Sequence, residues 1–236
     1  MAISTNLLAW LRSVQPRRAM ALLLLLPLTV GAQTVRDMWL SMPPSFAPYL
    51  SASLRTQCLD FYDMHADAQT DNALKGKSRI DTLTSTFLAA TLSKAHTLQM
   101  KLLPAAGSAS GSSLGSASGS GSSLSSCDSV LCVVRSWDGP KRDSEVQLFD
   151  RQWKPLQAPL TFSADSFVCC PDTMSEERFS RLVALLDPIM FSVSLSPTDN
   201  VLLVKLSPVV PNPDDEKAIE QILVQRKLKW DGKTFK

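Results

Sequence analysis

Between Ala105 and Ser126 the chain is written almost entirely in Gly, Ser and Ala, with only Leu114 and Leu124 interrupting. Such a tract holds too little apolar surface to offset the entropy of ordering it. Any core must be assembled from the text on either side, and 105–126 itself is expected as a flexible loop. Gly/Ser chain statistics give it a root-mean-square span of about 25 Å. It reads either as a tether between two moving parts or as an enlarged strand-to-strand loop. The second reading costs little, because doubling a loop adds only about 0.6 kcal/mol, and both flanks are strand-like.

Residues 1–32 set a second bound. Arg12, Arg17 and Arg18 precede an apolar run, Ala19 to Pro27, which fades through Leu28, Thr29 and Val30 and ends at Gly31-Ala32. That order matches a secretory signal peptide cleaved after Ala32. The run falls short of the roughly 20 residues a spanning helix needs. No integral membrane span is therefore expected after cleavage, an uncleaved anchor being the alternative. The first cysteine is Cys58, too distant from the cut for a lipoprotein. The expected location is periplasmic or secreted. Residues 1–32 hold three of the 24 basic residues and none of the 22 acidic ones, so the remainder carries a formal charge of −1. Without a basic excess, nucleic acid is not an expected partner.

The remaining text, 33–236, predicts a single α+β domain with antiparallel sheet packed against three to four helices. Thr34 with Asp37 forms a capping pair for a helix through Met42. A second helix is expected from Pro48 to Met64, with Leu50, Leu54, Cys58, Phe61 and Tyr62 on one face. Thr97 to Leu102 alternates strictly and predicts a strand with one wet face, antiparallel to Phe87–Leu92 across a turn at 93–96. Ser129 to Trp137 and Ser144 to Asp150 read as a hairpin around Asp138-Gly139-Pro140. Asp172 to Asp187 reads as a helix with Thr173 and Glu176 as its capping box. Met190–Leu195 and Val201–Ser207 form another hairpin, Asn212-Pro213 opens a last helix, and Arg226–Trp230 is a closing strand. Phe87, Leu98, Lys101, Leu102 and Pro104 recur 104 residues later as Phe191, Leu202, Lys205, Leu206 and Pro208. The match suggests two related α-β-β halves, 33–104 with 127–160 and then 161–236. The alternative is that any two alternating hairpins can be aligned.

Catalytic signals are sparse. Asp60, Asp63 and Asp67 recur at helical spacing beside His65, a pattern that reads either as a catalytic or hard-cation cluster or as a solvated acidic face. His96, the other histidine, falls in an expected turn. Neither a Gly-x-Ser-x-Gly elbow, a Cys-x-x-Cys motif nor a phosphate-binding glycine loop occurs, and five of the nine glycines lie in the Gly/Ser tract. No metal and no cofactor are expected. Most of the five cysteines sit in apolar, strand-like text and read first as buried small hydrophobes, the alternative for Cys127 and Cys132 being a disulfide between them. The adjacent Cys169 and Cys170 would point to opposite faces of a strand, which argues against a shared zinc site. Trp137, Trp153 and Trp230 each lie near an expected strand end, where they form a ligand platform or close the core.

Gln33-Thr34-Val35-Arg36-Asp37-Met38-Trp39-Leu40-Ser41-Met42-Pro43, Asp60-Phe61-Tyr62-Asp63, Leu98-Gln99-Met100-Lys101-Leu102-Leu103-Pro104 and Lys229-Trp230-Asp231-Gly232-Lys233-Thr234-Phe235 together resemble an exported Bacteroidales family, domain-of-unknown-function family 3256. The resemblance covers nearly all of 33–236, and the Gly/Ser tract departs from the compact loop it implies. It implies an exported protein of a two-membrane bacterium and assigns no activity and no catalytic residues. The functional expectation is a non-enzymatic binding module of the cell envelope, holding a peptide, glycan or envelope protein by a sheet face or edge. A hydrolase using Asp60, Asp63 and His65 and a periplasmic carrier of a lipid or other hydrophobic ligand are the alternatives.

Overall fold

A computed structural model describes residues 33–106, 129–210 and 212–236. The expected signal peptide, nearly all of the expected Gly/Ser loop, and Cys127 lie outside the described residues. The described elements run α1 (Val35–Leu40), α2 (Ala52–Asp63), β1 (Thr70–Asp71), β2 (Lys77–Leu83), β3 (Phe87–Ser93), β4 (His96–Pro104), β5 (Ser129–Asp138), β6 (Arg142–Phe149), α3 (Glu176–Ala184), β7 (Phe191–Leu195), β8 (Val201–Leu206), α4 (Pro213–Glu220) and β9 (Arg226–Lys229). Gln33–Lys236 forms one compact unit. No helix among the described residues is long and apolar enough to cross a membrane.

The helix starts follow from their caps. Thr34 accepts from the Asp37 amide while the Asp37 carboxylate accepts from the Thr34 amide, a complete capping box. Ser51 caps α2 by accepting from the Leu54 amide, so the helix begins at Ala52 rather than at the expected Pro48. The α3 cap is Ser175, accepting from the Arg178 amide, because Pro171 to Met174 closes a turn of its own and takes Thr173 out of helical register. Asn212 caps α4 with Pro213 at the first position.

The six strands β1 to β6 form one antiparallel meander in chain order, and β7 to β9 form a second, three-stranded sheet. One face of the large sheet packs on α1 and α2 through Met38, Trp39, Leu59, Leu88, Met100 and Val133. Its other face meets the small sheet, α3 and α4 through Phe87, Leu103, Val134, Val193, Leu202 and Ile219. Burial on both faces explains why Val130 to Val134 is continuously apolar and continuously buried.

The wet face expected for 97–102 is thereby corrected. Gln99 and Lys101 point toward the second sheet and attach it. The Gln99 side-chain oxygen accepts from the Leu195 amide at 2.8 Å. The Lys101 ammonium donates to the carbonyls of Ser196, Pro197 and Asp199 at 2.6, 3.1 and 2.7 Å. Strand β7 runs across β6, β5 and β4. Its remaining edge amides, Phe191 and Val193, donate to Asp143 and Ser144. A strand edge that would otherwise seek another chain is thus satisfied by side chains of the large sheet.

The two hairpins of the 104-residue match lie in different sheets. Phe87 faces Lys101, whereas Phe191 faces Leu206. A β-bulge between Thr91 and Ser93 accounts for the one-residue difference in register. The bulge places Phe87 on the same face as Lys101. Lys101 is buried because the small sheet covers that face, whereas the equivalent Lys205 is exposed.

Candidate binding groove

The two outer edges of the large sheet are treated differently. Beyond β6, the chain 155–160 covers the edge, with Leu156 and Leu160 amides donating to the Leu148 and Val146 carbonyls at 3.0 and 2.8 Å. Beyond β2, among the described residues, the strand that covers the edge is the short β1, which pairs Thr70 with Ser78 and Asp71 with Lys77. Upstream of Thr70 the chain leaves the ladder. Residues 66–68 stand off from 79–81, and the fork between them is a groove of about 430 Å³.

The end of α2 shapes that fork. The Met64, His65 and Ala66 amides donate to the Asp60, Tyr62 and Phe61 carbonyls, and His65 takes a left-handed φ of 51° to turn the chain back toward β1. Phe61, Tyr62, His65 and Asp67 line one wall, and Arg79, Ile80 and Asp81 the other. Across the β2 wall, the Arg79 guanidinium donates to Asp81 at 2.7 Å, and the Thr91 hydroxyl donates to the second Asp81 oxygen at 2.7 Å. The Tyr62 hydroxyl accepts from the Leu83 amide and donates to its carbonyl, closing one end. Cys58 borders the groove, but burial pushes its thiol pKa up. It is therefore held as the thiol, the wrong form for a nucleophile.

The sequence-predicted acidic trio does not assemble here. His65 and Asp67 line the groove; Asp60 and Asp63 do not. The Arg36 guanidinium donates to both Asp63 oxygens at 2.6 and 2.7 Å, and that pairing holds the Asp63 carboxyl below its usual range. Among the described residues no group of three His, Cys, Asp or Glu side chains is arranged to hold a metal ion.

The tryptophans divide. Trp153 is buried against Phe46 and Phe149 and donates to the Ser41 hydroxyl at 3.3 Å. Trp230 packs on Phe235 and donates to the Pro104 carbonyl at 2.7 Å. Trp137 is 39 % exposed. Its ring stacks on His96 at 5.4 Å, and the Arg135 guanidinium lies 5.6 Å from it. His96 opens β4 rather than lying in a turn. Its Nδ1 is hydrogen-bonded to the Tyr49 hydroxyl, and burial, reinforced by Arg135, pushes its pKa down. Sequence reasoning missed this cluster because its members come from three separate segments. Cys132 is a buried thiol, and its expected partner Cys127 lies outside the described residues.

The chain belongs to the family described as "Protein of unknown function (DUF3256)", whose model matches residues 27–111 and 122–235. No curated protein matches it. Its fold is similar to a solved domain of an uncharacterized protein from Porphyromonas gingivalis W83, at 23% identity and a TM-score of 0.61, covering 86% of this chain and 98% of that one.

Proposed function

We propose that this protein is an exported, non-enzymatic binding module of the cell envelope, and that the fork between β1 and β2 receives an extended segment of a partner protein. One observation carries the reading. The ladder on the outer side of β2 stops at Ser78, and a groove runs beside the residues that follow. A peptide laid there adds a strand to the sheet. Its main chain supplies affinity through β2 backbone groups, and alternate side chains reach His65, Asp67 and Arg79 for specificity. The N-terminal order of arginines, apolar run and small residues supports export. The carrier reading lacks support, because Trp39, Met42 and Leu50 fill the space under the helices.

The test is peptide selection against the full chain from a displayed library. Selected peptides are expected to bind the wild-type protein and lose at least tenfold in affinity for Ala68→Trp, which fills the groove from a half-buried loop position on its wall. Equal binding to both proteins, with Tm unchanged, would place the partner elsewhere and overturn the proposal.

A further inference from the structure

The small sheet carries a charge pattern independent of the groove. Strands β7, β8 and β9 contain Lys205, Arg226, Lys227 and Lys229 and no acidic residue. Strand alternation sorts them. Val193, Leu195, Leu202, Val204 and Leu206 enter the core, and Arg226 is drawn to that side by donating to the Ser166 carbonyl. The opposite face presents Lys205 across from Ser192, Lys227 across from Leu203, and Lys229 across from Val201. Lys236 extends it, because its backbone exchanges two hydrogen bonds with Lys229. All four lysines are exposed. Neighbouring charges on such a face stand about 7 Å apart along or diagonally across the strands.

At one end the face deepens into a cleft of about 240 Å³, where Arg142, Ser192, Ser194, Lys205 and Gln225 surround Leu203. Each of those five side chains can donate a hydrogen bond, and no carboxylate lines the cleft. Asp138 holds Arg142 through its Nε and one terminal nitrogen, leaving the other terminal nitrogen for a ligand. The acids nearby are committed or displaced. Asp231 pairs with Lys236, Glu216 pairs with Lys141, and Glu216 and Glu220 line an adjoining cleft on the α4 side that Lys205 also borders. No ion pair is formed by Lys205, Lys227 or Lys229 among the described residues.

We infer that this face binds the phosphorylated headgroups of an anionic lipid surface, with one phosphate seated in the Arg142–Lys205 cleft. Two cations and two hydroxyls suit the several acceptor oxygens of a phosphate monoester. A single soluble phosphate would engage only that cleft. A plane of headgroups engages the cleft together with Lys227 and Lys229, and it meets the partly exposed Val201 and Leu203 that lie among the lysine stems.

The experiment is co-sedimentation of the full chain with phosphatidylcholine vesicles, with and without phosphatidic acid. The full chain keeps the N-terminal apolar run common to every sample. Binding is expected only with phosphatidic acid, weakening as salt is raised, and falling about fivefold for each of Lys205→Gln, Lys227→Gln and Lys229→Gln. Ser194→Glu, which puts an acid in the cleft without touching a lysine, should reduce it as well. Equal binding to both vesicle types, or binding unchanged in the triple lysine variant, overturns the inference. Complete competition by millimolar inorganic phosphate also overturns it, by showing that the cleft alone binds and the lipid plane adds nothing.

Discussion

Lys101 is 2 % exposed and spends its charge on three carbonyls of the β7–β8 turn. Burial pushes its pKa down, yet the donated bonds fix where the small sheet sits. Lys101→Met leaves those carbonyls short of a donor and is expected to lower stability by roughly 2–3 kcal/mol, the scale of hydrogen bonds to a charged group. Urea denaturation measures this directly. The 104-residue match pairs Lys101 with Lys205 in sequence, but nothing in the alternation shows that one neighbours a core and the other faces solvent. The small sheet covers the strand face at Lys101, whereas no described element covers the matching face at Lys205. His96 makes a second residue-scale test. Its folded pKa lies below the ordinary 6.5, so between those values the unfolded chain binds more protons. Stability should therefore fall as pH drops from 6.5 toward that lowered value. In His96→Gln that part of the slope should vanish, while the loss at still lower pH from Asp63 and Asp138, held low by Arg36 and Arg142, should remain.

At the scale of elements, what the sequence made legible was whatever carried its own local chemistry. The Thr34/Asp37 capping box, the Asn212-Pro213 start of α4 and the alternation of β4 are each written in a few adjacent residues. The β1–β2 hairpin was not legible. Its paired part of β1 is only two residues, and the buried positions around it are the polar Thr70, Asn72 and Ser78, so no apolar alternation marks it. Asn72 organises the turn instead. Its amide nitrogen donates to the Ser78 hydroxyl and the Leu92 carbonyl, and its oxygen accepts from the Leu74 and Gly76 amides. Gly76 is close enough to Asn72 that a Cβ there would sit 3.1 Å from its side chain. Asn72→Ala is expected to cost about 3 kcal/mol, from several buried bonds worth about 1 kcal/mol each. It should also release β1, seen as faster proteolysis at 66–76 than in the β5–β6 hairpin. The candidate site inherits this illegibility. His65 and Asp67 could be named from the sequence, but the groove they line exists only because β1 is short.

For the molecule as a whole, the arrangement is a six-stranded sheet covered on both faces, with one edge sealed by 155–160 and the other left forked. The α+β class was readable because helical and alternating segments were each distinct. The seating of β7 across the large sheet was not, since it depends on Gln99 and Ser144 accepting from edge amides, and on Lys101 donating to a turn carbonyl, each more than 45 residues away in sequence. The central claim is that the outer side of β2 is an unfilled strand position. Residue-resolved amide hydrogen exchange, with and without a selected peptide, tests it most directly. Amides of β4 and β5 should exchange slowest in both states, while the outward amides within 79–82 exchange fast alone and at least tenfold slower with peptide. Slow exchange at 79–82 in the free protein, or no change there when peptide binds, would contradict the account.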